Sequence, residues 1–109
     1  MNQRTKGNQF ERDTAKEMRE LGFEKCITSR YGSRELDDAC VDLMHTDPFS
    51  LQLKAWKSAP NLHKELKKMP KDNNYNVIFH KRPNQGTVVA MTKQDFYEMI
   101  KMLKSNNVI

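Results

Sequence analysis

Phe10, Thr14, Met18 and Leu21 fall on one stripe at spacings of three and four, with Arg12, Asp13, Lys16 and Glu20 elsewhere on the wheel. The pattern predicts an amphipathic helix over residues 8–22, stopped by Gly22. Phe23 to Tyr31 predicts a strand, and Gly32 opens a polar loop, Ser33-Arg34-Glu35-Leu36-Asp37-Asp38. From Ala39 to His45 the period falls to two, with Ala39, Val41 and Leu43 facing one way and Cys40, Asp42 and Met44 the other. Phe49 to Trp56 alternates as well, setting Leu51, Leu53 and Ala55 opposite Gln52, Lys54 and Trp56. Thr46-Asp47-Pro48 between these two strands is turn chemistry, so they are expected to form a hairpin.

Pro60 suits the first turn of a helix running to about Lys68, with Leu62 and Leu66 inward and lysines outward. Tyr75 to His80 and Thr87 to Met91 read as two further strands, joined across residues 81–86. Thr92 then caps a last helix, with Asp95 at the favourable third position and Phe96, Met99, Ile100 and Leu103 on its apolar face. The order αβββαββα is that of a mixed α/β domain of about five strands flanked by helices. Its 109 residues, without repeats or linkers, form a single domain over 1–109.

Composition excludes several classes. No apolar run approaches the roughly 18 residues of a membrane span, and the first residues lack the apolar stretch of a secretory signal. Two cysteines, Cys26 and Cys40, make no zinc-ligand spacing and read as reduced thiols of a cytoplasmic protein. The net charge of +5 and pI near 9.3 conceal a division. Residues 1–53 balance at −2, whereas residues 54–82 carry eight basic and two acidic side chains, a balance of +6. A basic middle suits a polyanion, because each neutralised phosphate releases counterions. The competing reading is an ordinary solvated surface.

The chemistry concentrates at Asp42 and at Gln52-Leu53-Lys54. Residues two apart on a strand share a face, so Gln52 and Lys54 emerge together, and the expected hairpin brings Asp42 beside them. A carboxylate, an amide oxygen and an ammonium at one place suit phosphodiester hydrolysis. Oxygen ligands hold a hard cation such as Mg²⁺, and a lysine orients the nucleophile or steadies phosphate charge. The competing reading of Asp42 is a paired structural aspartate. Lys57, His80, Lys81 and Arg82 are candidate phosphate contacts. Trp56 and Tyr75 read as packing residues, and His45 and His63 form no ligand pattern.

Asp42 followed by Gln52-Leu53-Lys54 resembles the D…(D/E)XK core of the PD-(D/E)XK nuclease superfamily, and the whole chain is similar to its small archaeal and phage Holliday-junction resolvases. Gly7-Asn8-Gln9-Phe10-Glu11-Arg12 looks like their helix start, Tyr31-Gly32-Ser33-Arg34 like their glycine-serine loop, and Ala39-Cys40-Val41-Asp42-Leu43 like their aspartate strand. The likeness continues through Val77-Ile78-Phe79-His80-Lys81-Arg82 and the last helix. It implies a restriction-endonuclease-like fold and an Mg²⁺-dependent endonuclease (Mn²⁺ substituting) that cuts branched DNA. Glu11, Asp42, Gln52 and Lys54 would be its catalytic residues, the first three holding the metal. Arg30, Ser33 and Arg34 would meet the DNA backbone near the cut. The chain departs from the family in placing Gln52 where an acid is usual, which removes a charge from the coordination sphere; Glu35, Asp37 or Asp38 could compensate. That departure keeps open a second reading, a non-catalytic DNA-binding module on a nuclease fold. Paired cuts in a two-fold junction imply a homodimer, for which Met91, Tyr97 and Met102 offer apolar surface, acting in the cytoplasm of a bacterial or phage-infected cell.

Overall fold

A computed structural model describes residues 3–109 as a mixed α/β fold. The elements are α1 (Gln3–Glu20), β1 (Ile27–Thr28), α2 (Ser29–Gly32), α3 (Arg34–Asp38), β2 (Leu43–Met44), β3 (Phe49–Lys54), α4 (Leu62–Lys68), β4 (Tyr75–Arg82), β5 (Gly86–Ala90) and α5 (Lys93–Ser105). The five strands form a two-stranded antiparallel ladder, β1-β2, and a three-stranded sheet in the order β3-β4-β5. β3 and β4 run parallel, with Gln52 beside Ile78 and Lys54 beside His80, and β5 returns antiparallel. The parallel pair needs a crossover, which α4 supplies. Among the described residues no helix is long and apolar enough to cross a membrane.

Helix α1 starts five residues before the expected position, because residues 3–7 are polar and carry no periodic signal. It ends as expected. Gly22 takes φ +115, the Phe23 amide donates to the Met18 carbonyl at 3.0 Å and the Gly22 amide to Arg19 at 3.1 Å, a paired capping arrangement that needs a left-handed residue. Leu21 is a correction. The termination swings it out of the predicted stripe to 76% exposure, and Ala15 joins Phe10, Thr14 and Met18 in the interior instead. The core lies where this face meets Leu51, Leu53 and Val77 of the sheet, with Cys26 and Leu43 completing it. Both cysteines are free thiols, and burial pushes that of Cys26 above its ordinary pKa.

The second correction falls on residues 23–45, where two long strands were expected and the order is richer than αβββαββα. Only Ile27–Thr28 and Leu43–Met44 pair, and the polar loop coils into α2 and α3. Cys40 adopts φ 65, which breaks extension just before Asp42. Gly32 has a packing reason, since a Cβ there would collide with the side chains of Met44 and Ile27. The expected hairpin survives as a close approach: Thr46 closes the turn onto Phe49, and the Asp42 amide donates to the Leu51 carbonyl at 2.8 Å.

Helix α4 begins after Asn61, whose side chain accepts from the Lys64 amide at 3.1 Å, so Pro60 lies outside it. The residue it buries is Glu65, with Leu62 and Leu66 half-buried. Thr92 caps α5 as expected, accepting from the Asp95 amide at 3.1 Å.

The burial pattern separates Leu21, of the predicted helix stripe, from Leu51 of the sheet. Leu51→Ala, at 2% exposure, should lower unfolding stability by ~3 kcal/mol in urea melts. Leu21→Ala should change it by less than about 0.5 kcal/mol. Equal effects would contradict the packing described.

Candidate functional site

β3 is buried along both faces, with α1 on one and α4 toward the other, and its last residues carry the polar groups. Gln52 and Lys54 leave it on one side, as the strand period requires. Asp42 lies against the strand's free edge, where its Oδ2 accepts from the Leu53 amide at 2.7 Å. Glu11 approaches from α1. A cavity of about 280 Å³ is lined by Glu11, Asp37, Asp42, Gln52, Lys54 and Trp56, so the four expected catalytic residues border one space. Asp37, considered in the sequence only as one of three compensating acids, borders it too.

The electrostatics of this space are short of positive charge. Burial, foremost, pushes the Asp42 carboxyl above its ordinary pKa, and Asp37 adds to the shift, against the Leu53 amide, Lys54 and Arg30. Glu11 is raised by burial and then by Asp42, although Arg30 donates to it at 2.5 Å. Gln52 is 3% exposed, and its Oε1 is buried without a hydrogen-bond partner among the described residues. A buried unpaired acceptor is costly, by about 1–3 kcal/mol. Among the described residues no three His, Cys, Asp or Glu side chains group closely enough to hold a metal ion. The oxygen groups that border this space are thus the Glu11, Asp37 and Asp42 carboxyls and the Gln52 amide.

Lys54 is held from the side. Its Nζ lies 3.4 Å from the Glu65 carboxylate and 4.4 Å from the centre of the Trp56 ring, and Glu65 also meets Lys68 at 3.5 Å. Sequence reasoning missed Glu65, counting it only as an exception to a basic stretch. Its signal was its inward place on α4, between Leu62 and Leu66.

The expected DNA contacts are dispersed. Arg30 is engaged by Glu11, and the Ser33 hydroxyl caps α3 by accepting from the Leu36 amide at 3.3 Å. Arg34 is almost wholly exposed, 3.7 Å from Asp38. Lys57, Lys81 and Arg82 are exposed; Lys81 lies over the Phe10 ring and Arg82 Nε donates to the Lys57 carbonyl. His80 is the correction in this set. At 6% exposure, with Nε2 3.2 Å from the Trp56 carbonyl oxygen, it braces the end of β3 and does not reach the surface.

Comparison with protein-family models, with curated proteins and with solved structures returned no match in any of the three.

The raised Asp42 pKa fixes the sign of a stability test. The folded protein holds this proton more tightly than the unfolded chain, so the associated stability is full below the unfolded pKa and is lost as pH rises through the folded one. Asp42→Asn keeps an oxygen for the Leu53 amide and removes the desolvated charge. In EDTA at pH 7.5 it should raise Tm by a few degrees, with the gain vanishing below about pH 4, the ordinary carboxylate range. A pH-independent loss of Tm would show that the charge itself is stabilising.

Proposed function

We propose that the chain is a metal-dependent endonuclease on a restriction-endonuclease-like fold, cutting branched DNA such as Holliday junctions as a homodimer. The observation that carries the proposal is that Asp42, Glu11, Gln52 and Lys54 border one cavity, with the Gln52 Oε1 buried and without a hydrogen-bond partner among the described residues. Asp42, Gln52 and Glu11 would hold Mg²⁺, with Mn²⁺ as a substitute. When bound, such an ion lowers the pKa of water and offsets phosphate charge in the transition state. Lys54 contributes a positive charge from the same strand face, positioned by Glu65 and Trp56, to draw in a phosphate oxygen. Arg30 orients the Glu11 carboxylate and reduces its repulsion with Asp42. The exposed cations at Lys57, Lys81 and Arg82 would steer DNA toward this end of the sheet.

A second reading draws on the ion pair itself. Lys54 already has a carboxylate partner in Glu65, and the chain places an amide where an acid would bind metal more strongly. Both features favour a DNA-binding module without catalysis.

A labelled four-way junction incubated with Mg²⁺, Mn²⁺ or EDTA separates the two. Metal-dependent paired nicks are expected, with Asp42→Asn cutting at least about 100-fold more slowly while binding as well as the parent. Gln52→Glu should act at lower Mg²⁺ concentration, because a carboxylate adds charge to the ion's ligands. A mobility shift without cleavage in every condition would leave the binding module.

The basic stretch makes a second measurement informative. Log affinity for duplex arms should fall linearly with log salt, by about 0.9 per phosphate contact. Neutralising Lys81 and Arg82 together should flatten the slope by roughly two contacts. An unchanged slope places the DNA on another face.

A further inference from the structure

Helix α5 is amphipathic, yet none of its residues is buried. Phe96 and Tyr97 are half-exposed and Met102 is 41% exposed. The strand before it, β5, is the edge of the three-stranded sheet, with one side of its backbone unpaired. Every residue from Gly86 to Val89 is exposed, and Val88 and Val89, on opposite faces of the sheet, are each 59% exposed. Natural edge strands are protected by charge, proline, bulges or a covering element. β5 has no charged residue and no proline along Gly86–Ala90, in a chain that is 30% charged. Between α5 and the sheet runs an apolar groove of about 190 Å³, with Met18, Phe79, Val89, Met91 and Met99 among its walls.

We infer that β5 and α5 form the interface of a two-fold homodimer, in which β5 pairs antiparallel with β5 of the second copy and the two α5 helices cover the junction. The inference rests on the paired-cut reading above for its purpose, and it names the surface through which the copies meet. Two features select a second copy as the occupant. A two-fold axis across an edge strand generates antiparallel pairing, so one uncharged strand serves as both template and ligand and the sheet grows to six strands. The area also matches. At the roughly 150–250 Å² of an aromatic side chain, the half-exposed Phe96 and Tyr97 alone present about 200 Å² per copy; Val88, Val89 and Met102 and the paired β5 backbone add to this, so that two copies approach the ~1,000 Å² that a specific interface needs. Glu11, Asp42 and Gln52 lie at the far strand, β3, so each copy keeps its cavity open and the two cavities stand at opposite ends of the joined sheet.

Analytical ultracentrifugation of the full chain at 5–100 µM (roughly the range in which standard-size interfaces associate) should give a mass near twice 12.8 kDa. Phe96→Glu and, separately, Val88→Lys should each return the monomer mass with unchanged far-ultraviolet circular dichroism, because both side chains are exposed and the fold does not need them. Lys16→Glu, on the exposed face of α1, should leave the dimer intact. A wild-type monomer at the highest concentration, or a dimer that survives both interface substitutions, overturns the proposal. Junction cleavage measured on the same samples keeps the two readings apart. A dimer that never cuts upholds this surface and removes the nuclease, and a monomer that cuts does the reverse.

Discussion

Asp42 joins the two halves of this fold through bonds in three directions. Its amide donates to Leu51 on β3, its carboxylate accepts from the Leu53 amide on the same strand, and its carbonyl accepts from the Ser29 amide at the start of α2. The first two bonds dock the short β1-β2 ladder against the edge of the three-stranded sheet, and the third fixes the turn from which Arg30 reaches Glu11. A side chain and backbone bonded to the same strand have little freedom, which fixes Asp42 at the border of the cavity. The same geometry explains why the carboxyl resists ionisation: it is held against protein, away from water, with Asp37 nearby.

How much of this arrangement was legible follows from how local each cause is. The shared face of Gln52 and Lys54 is set by the strand period, and the start of α5 by one threonine and an aspartate three residues on, so both are written in contiguous sequence. The approach of Asp42 to β3 was legible from turn chemistry at Thr46-Asp47-Pro48. Its detail was not, because the left-handed turn at Cys40 leaves no propensity signature and converts an alternating run into a two-residue strand. Leu21 left its stripe because one glycine beyond it turns the chain. Glu65 and His80 were misjudged for a common reason. Each is a polar residue buried by a tertiary partner, Lys54 in one case and the Trp56 carbonyl in the other, and such partners are invisible to periodicity.

These two buried contacts change how the basic middle of the chain works. Residues 54–82 are basic in sequence, but Glu65 offsets Lys54 and Lys68, and its burial gathers those ammonium groups toward the end of β3. The exposed cations are left on the outer face of α4 and at the far end of β4, where Lys81 and Arg82 stand. Positive charge therefore rims a region whose centre is acidic.

Burial gives a physical account of glutamine at position 52. The site is 3% exposed, and Asp42 and Glu11 already have raised pKa values. A third carboxylate would have to ionise against burial and two neighbours, and an uncompensated buried charge costs more than an unpaired amide oxygen. The amide supplies an oxygen of the same kind and reach while leaving the folded state without that charge, at the expense of one unfilled acceptor. At this depth the chain carries the smaller of the two costs, an acceptor without a partner among the described residues rather than a third buried carboxylate.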